Sequence, residues 1–423
     1  MKKITSFVLK VASRCNLNCS YCYMYNLGDN TYLSQPKFMS IETITIFAMK
    51  LNEYCIRNDV KYLQIVFHGG EPLLWSMDNY KKSVEIFTKT IKNVTFDFAL
   101  QTNGVTLDDK WCQLFKNLNI RVGISMDGPK KHHDKYRVFH NGKGSYDKVM
   151  TAIERGKKYG FNSILSVVNL DISPEEFYDE LKNLDVQNFN LLLPDGHYDN
   201  LPDGFHSDKV NTIDHTPYAD WLIEVFKIWK TDTNRPMIRF FRTLIELIMG
   251  EQIGDQMLGT LTNGVAVLET NGALEVSDSI RACYEGITRN NLNIFNNSIE
   301  DLHDDPLFEL YFNSHSMLNE KCINCLLSNI CGGGFLGNRY SNENGFDNPT
   351  IYCYDTIKFV SFIQNDILSS LPNDINNSLE IYSLDYAEMV HEINISTSSK
   401  IDKSIKNKLS SFKSNVKERN ITC

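Results

Sequence analysis

Six short runs of β-branched and aromatic residues recur through the first 193 positions, and every gap between them is long enough for a helix. The runs are 4–11, 62–67, 94–101, 120–125, 163–168 and 189–193; stretches 41–57 and 145–159 are two of the helix-like gaps. Alternation of this kind specifies a parallel sheet with crossover helices. Six units fall short of the eight that close a (β/α) barrel. The fold class expected is therefore α/β, a partial (β/α)6 TIM-like barrel with an open side. Active sites in such folds gather at the C-terminal ends of the strands.

After the sixth run the pattern lapses. Residues 194–217 are rich in Asp, Gly, Asn, His and Pro and read as a loop or linker. Helical stretches follow at 218–231 and 239–249, and runs 265–269 and 273–276 flank Thr270-Asn271-Gly272, an Asn-Gly hairpin signal. Residues 322–353 are Gly- and Asn-rich with little periodicity, so something other than a hydrophobic core must order them. The division expected is a barrel over 1–235, a cysteine-bearing extension over 236–364 and a peripheral, partly helical tail over 365–423.

Composition excludes several classes. Lys plus Arg is 43 against 52 Asp plus Glu, a net charge of −9, which makes a poor general binder of nucleic acid. No apolar run reaches the roughly 18 residues of a membrane span. The opening residues lack the long apolar core of an export signal and read as the first strand, so a cytoplasmic protein without membrane or nucleic-acid partners is expected. Eleven cysteines, an odd number without an export signal, argue against a disulfide framework. Seven of them fall in two tight groups, as ligand sets do.

Cys15, Cys19 and Cys22 follow the first strand at spacing C-x3-C-x2-C. Three thiolates on one loop suit three irons of a [4Fe–4S] cube and leave the fourth iron open. Zinc prefers four ligands in C-x2-C pairs, and no fourth Cys or His lies nearby in sequence; a zinc loop or three buried thiols are the alternatives. With its aromatic residue before the last cysteine, the motif resembles the signature of the radical S-adenosylmethionine (SAM) enzymes. That resemblance implies an open iron chelated by SAM, reductive cleavage to a 5′-deoxyadenosyl radical, and hydrogen abstraction from a substrate. It also implies SAM contacts from Gly69, Gly70 and Glu71 in His68-Gly69-Gly70-Glu71-Pro72. Further contacts are expected from Asn103 and Ser125 at strand ends, Arg137 toward the SAM carboxylate and Tyr21 toward adenine. Taken alone, the glycine pair would be a turn, Arg137 a solvated arginine and Tyr21 core packing.

Cys322, Cys325, Cys331 and Cys353 supply four thiols within 32 residues, a complete set for one closed [4Fe–4S] cluster or, as an alternative, zinc. The arrangement resembles the SPASM extension of radical SAM enzymes that modify peptides and proteins. Many such extensions carry two auxiliary clusters. Here Phe335 stands four residues after Cys331 and Ser277 five after Gly272, where that version has cysteines. One auxiliary cluster is expected. Cys283 is spare, a core thiol or something functional; Cys55 and Cys112 read as core and Cys423 as a free tail thiol.

Among these enzymes the sequence most resembles the three-residue cyclophane-forming peptide maturases, through 7–11, 191–197, 216–222, 269–275, 331–334 and 345–349. The resemblance implies abstraction of a Cβ hydrogen from a ribosomal precursor peptide and joining of that carbon to an aromatic ring. A reducing partner such as flavodoxin or ferredoxin is implied too. The segments around 101–127 also resemble anaerobic sulfatase-maturating enzymes, which form formylglycine; thioether formation and epimerisation are further alternatives. Asp278 corresponds to the general base of the sulfatase maturases and is the catalytic candidate, against an Asp that merely bonds its own turn. Because Cys15 lies so near the start, recognition of a leader peptide is expected on another surface, on the tail, or in a separate protein.

Overall fold

A computed structural model describes residues 3–372, 382–395 and 402–413; Cys423, read above as a free tail thiol, lies outside the described residues. The chain forms two compact units built from interleaved segments. The first comprises Met1–Val167, Glu180–Leu192 and Asn263–Phe312, and the second Val168–Asp179, Leu193–Thr262 and Asn313–Cys423.

The first unit is built on parallel strands β1 (Ser6–Ala12), β2 (Tyr62–Gly69), β3 (Thr95–Thr102), β4 (Ile120–Ser125), β5 (Ser163–Val167) and β6 (Asn188–Leu192). Each pairs in parallel with the next. The period-2 pattern sorts their side chains. On β2, Leu63, Ile65 and Phe67 are fully buried, while Gln64, Val66 and His68 on the other face are only half-buried. The apolar face takes the crossover helices, which begin alike. Ser40, Ser76 and Asp108 accept the N–H of Thr43, Asn79 and Trp111, capping Ile41–Asn58, Met77–Thr90 and Asp109–Asn117. The half-buried face is left polar, which is what a site requires.

The hairpin expected at Asn271-Gly272 joins this unit. Strand β7 (Met237–Ile238), two residues long, belongs to the second unit; β8 (Val265–Leu268) and β9 (Leu274–Glu275) form the hairpin. β8 lies parallel to β1, so the first unit's sheet runs β6-β5-β4-β3-β2-β1-β8-β9. Gly272 supplies the left-handed turn at φ +84°. The strand after the turn returns along β8, and the chain just beyond it brings Asp278 to Lys10 of β1.

In the second unit, helices Pro217–Thr231 and Cys353–Ser370 share an aromatic seam in which Phe226 meets Phe359 and Phe362, and Phe240 stacks on Phe359. Thr216 gives the first of these helices no side-chain cap. Asp355 does so from the other helix, accepting the N–H of Ala219 at 2.8 Å. The tail is not loose where it is described: Tyr386–Ile395 buries Met389, Val390 and Ile393, and Lys403–Ser410 buries Leu409. Among the described residues no helix is long and apolar enough to cross a membrane.

Burial raises the Asp355 carboxyl to about 7 despite its hydrogen bonds. A carboxyl raised on folding favours the native state while protonated, and that advantage is lost as pH climbs from the ordinary carboxylate range through about 7. Asp355→Asn removes this dependence. The melting temperature of the variant minus that of the parent should therefore rise between pH 5 and pH 8, by scanning fluorimetry; a difference that stays flat or falls would contradict the assignment.

Candidate active site

The cysteine loop leaves the C-terminal end of β1. Leu17 and Met24 anchor it in the core, and hydrogen bonds hold the rest. Asn18 N–H donates to Val138 O (2.7 Å), Ser20 N–H to Tyr136 O (3.1 Å), and Asn26 Nδ2 to Asn18 Oδ1 (3.0 Å) and Cys19 O (2.8 Å). Cys15, Cys19 and Cys22 are unbridged and partly exposed. Burial raises all three thiols, Cys22 to about 11, and they act on one another electrostatically. Three soft donors on one loop, costly as free thiolates, fit a cationic iron centre that would neutralise them.

The glycines at the end of β2 are required by contact. A Cβ on Gly69 would lie 2.2 Å from Ala12 O, and one on Gly70 1.9 Å from Tyr25 Oη and 2.4 Å from Arg14 O. Gly70 N–H donates to Ala12 O (2.7 Å) and Glu71 N–H to Arg14 O (3.0 Å), so β2 is fastened to the root of the cysteine loop. Glu71 is wholly buried. Its Oε1 accepts from Thr102 Oγ1 (2.6 Å) and Leu73 N (2.9 Å), and its Oε2 from Asn103 N (2.9 Å). The Glu71 side chain thus orders the loop from beneath. Asn103 completes the tie, donating from Nδ2 to Asn16 Oδ1 (2.8 Å) and toward Cys15 Sγ (3.7 Å).

Tyr21 and Arg137 meet. The Tyr21 hydroxyl donates to Asp127 and accepts from Arg137 Nη1 (2.7 Å); Arg137 Nη1 also lies 3.5 Å from Asp127 Oδ2. Arg137 Nε is buried with no hydrogen-bond partner among the described residues, an unspent donor beside the cysteine loop. Its backbone is fixed through His133, which burial and Arg137 hold neutral, near 3. Asp127 N–H faces His133 Nδ1 (3.3 Å), so the proton sits on Nε2 and goes to Ser145 Oγ (3.0 Å), which donates to Arg137 O (2.8 Å). Ser125 accepts from Gln101 Nε2 at 2.8 Å.

The hairpin delivers Asp278 to the same sheet. Asp278 Oδ2 accepts from both Lys10 Nζ and Tyr23 Oη (2.6 Å), while Oδ1 has no hydrogen-bond partner among the described residues. Lys10 is fully buried on β1 and also faces His68 Nδ1 (3.2 Å), its register partner on β2. Burial pushes Lys10 down to about 7, against the pull of Glu269. Beneath it, Arg281 bonds Glu269 (2.5 Å) and Glu275 (2.7 Å) in a second buried set. Lys10, Tyr23 and His68 were not singled out from sequence as site residues. A lone lysine in an otherwise apolar strand was the available signal.

In the second unit, Cys322, Cys325, Cys331 and Cys353 line one pocket; burial raises their thiols, and they raise one another's further. Phe335 lines an adjoining apolar cavity with Met257 and Leu258. Among the described residues no three His, Cys, Asp or Glu side chains converge on a single metal ion. Cys55, Cys112 and Cys283 are buried.

A model of the radical SAM superfamily matches residues 9–185. The cysteine-type anaerobic sulfatase-maturating enzyme of Clostridium novyi is 28% identical over 380 residues, 87% of this chain and 96% of that protein. The serine-type anaerobic sulfatase-maturating enzyme of Bacteroides thetaiotaomicron is 30% identical over 357 residues, 80% of this chain and 84% of that protein. Among solved structures, native anSMEcpe with bound AdoMet matches with a TM-score of 0.73 at 25% identity, over 89% of this chain and 100% of that one. Streptococcus suis SuiB bound to its precursor peptide SuiA shares the fold, with a TM-score of 0.53 at 15% identity over 80% of this chain and 73% of that one.

Gly70→Ala puts a methyl group into the Arg14 carbonyl, and backbone cannot yield cheaply there. The variant should react about tenfold faster with a thiol reagent at Cys15, Cys19 and Cys22, because opening of the loop becomes less costly by about 1.4 kcal/mol. Gly156→Ala, whose Cβ would meet only ordinary contacts at 3.4 Å or more in a helix, is the control. Equal labelling rates for the two variants would contradict the fastening described above.

Proposed function

The chain belongs to the radical SAM superfamily, and we propose that it removes two hydrogens from a ribosomally made peptide, joining a Cβ to an aromatic side chain as a cyclophane. The observation that carries this reading is Asp278, a carboxylate gripped on one oxygen by Lys10 and Tyr23 with the other oxygen left open. Forming a carbon–carbon bond to an aromatic ring ends with loss of a ring proton and one electron. Asp278 Oδ1 would take that proton.

The residues fit the cofactors in kind. Cys15, Cys19 and Cys22 would hold the SAM-binding [4Fe–4S] cluster. Gly69, Gly70, Asn103 and Ser125 would line the SAM site, Arg137 with its unspent Nε would bind the SAM carboxylate, and Tyr21 would border the adenine. Cys322, Cys325, Cys331 and Cys353 would hold one auxiliary [4Fe–4S] cluster. When bound, the cluster and SAM supply the carbon radical that takes the Cβ hydrogen. The electron released with the ring proton replaces the one that begins SAM cleavage, so SAM, split to methionine and 5′-deoxyadenosine, is the two-electron oxidant and no further one is needed.

Formylglycine synthesis is the second reading, favoured by the sulfatase-maturating relatives that align over most of the chain. Ser277 and Phe335, where the two-cluster version has cysteines, favour the crosslink. Both readings use a Cβ hydrogen and a base, and their products differ.

The test incubates reconstituted protein with SAM, reductant and a precursor peptide encoded nearby. The crosslink reading expects a loss of about 2 Da per bridge, fragmentation that stops within three residues, and no reaction with an aldehyde probe. Aldehyde labelling would replace it with formylglycine synthesis. Asp278→Asn should keep forming 5′-deoxyadenosine while product falls about 100-fold or more; an unchanged product yield would remove Asp278 from the mechanism.

A further inference from the structure

Arg339 is the least compensated charge in the second unit. Its side chain is 1% exposed, and all five N–H groups go to backbone carbonyls. Nε donates to Gly333 (2.8 Å), Nη1 to Ser314 (2.9 Å) and Met317 (3.2 Å), and Nη2 to Gly332 and Gly334 (both 2.8 Å). Among the described residues it has no carboxylate partner. Arg281, equally buried in the first unit, has three, Asp29, Glu269 and Glu275. A buried cation without a counter-charge is expensive to keep.

Three of the five carbonyls that hold Arg339 belong to the cysteine region itself. Gly332, Gly333 and Gly334 follow Cys331 directly, and all three adopt left-handed φ values of +57°, +78° and +70°. Only glycine fits: a Cβ on Gly332 would lie 1.9 Å from Gly259 O, and one on Gly333 2.7 Å from the Arg339 guanidinium. The turn therefore wraps the guanidinium while placing Cys331 in the four-cysteine pocket. Cys322 and Cys331 are the groups that favour the Arg339 charge against its burial. Lys321 and Asp347 act on Cys322 with opposite sign, and Lys321 acts on Cys353 as well. His315 faces Gly332 O through Nδ1 (2.8 Å) and Asp255 O through Nε2 (2.9 Å), and burial pushes its imidazole below the ordinary range against those two bonds.

We propose that Arg339 is the fixed counter-charge of the centre held by Cys322, Cys325, Cys331 and Cys353, stabilising its thiolates and biasing it toward its reduced form. Reduction adds negative charge, so a fixed cation nearby raises the potential. The proposal rests on the cluster reading of those four cysteines.

The test uses the full-length protein, reconstituted anaerobically, as parent, Arg339→Gln and Arg339→Lys. Iron and sulfide are counted, and the auxiliary centre is titrated by EPR against potential. Arg339→Gln should shift the reduction equilibrium toward the oxidised form by tenfold or more, about 59 mV for a one-electron couple. Arg339→Lys, which keeps the charge and loses the fork, should shift it much less. Equal shifts, or none, would overturn the proposal. If Arg339→Gln fails to load the auxiliary cluster and Arg339→Lys loads it, the counter-charge role is supported; failure of both shows that the carbonyl fork alone matters and overturns it. A parent with only the SAM-binding cluster would remove the premise instead, and is recognised by iron content that does not fall when the four cysteines are replaced.

Discussion

Everything in the first unit depends on two backbone hydrogen bonds, from Gly70 N–H to Ala12 O and from Glu71 N–H to Arg14 O. They fasten the end of β2 to the point where β1 becomes the cysteine loop. Without them the root of the loop would be loose, because Leu17 and Met24 are its main apolar anchors and the thiols and polar residues between them add little. Glu71 extends the fastening to β3 through Thr102 and Asn103, and Asn103 returns it to the loop at Asn16. Polar side chains bridge strand ends here, so the site's geometry is set by the sheet rather than by loop packing.

Buried charge is handled in two different ways. In the first unit, cations and carboxylates are paired. Lys10 meets Asp278, and Arg281 meets Glu269 and Glu275. In the second, Arg339 is surrounded by carbonyls alone. Paired groups keep a local balance and can orient a reactive carboxylate. An uncompensated cation instead favours the gain of negative charge by its neighbours. The division matches a proton-accepting role for one set and an electron-holding role for the other.

Much of this was legible in the sequence. The six parallel strands stand within about two residues of where periodicity puts them, since alternation between a helix-facing and a site-facing side is written into every second residue. The hairpin followed from Asn271-Gly272, and the two cysteine groups from spacing. What was not legible joins distant positions. Lys10 and Asp278 lie 268 residues apart and meet only because β8 docks beside β1. Asp355 caps a helix 136 residues earlier, which no local pattern announces. The role of Glu71 was hidden as well, because a motif shows that a carboxylate is present and not which N–H groups will occupy it.

The central claim is that this enzyme takes a hydrogen atom from a peptide Cβ. The most direct measurement uses a precursor peptide deuterated only at the Cβ positions of its core, turned over by the reconstituted enzyme, with mass analysis of the 5′-deoxyadenosine formed. The account predicts 5′-deoxyadenosine carrying deuterium in proportion to modified peptide. Unlabelled 5′-deoxyadenosine alongside full peptide modification would contradict it.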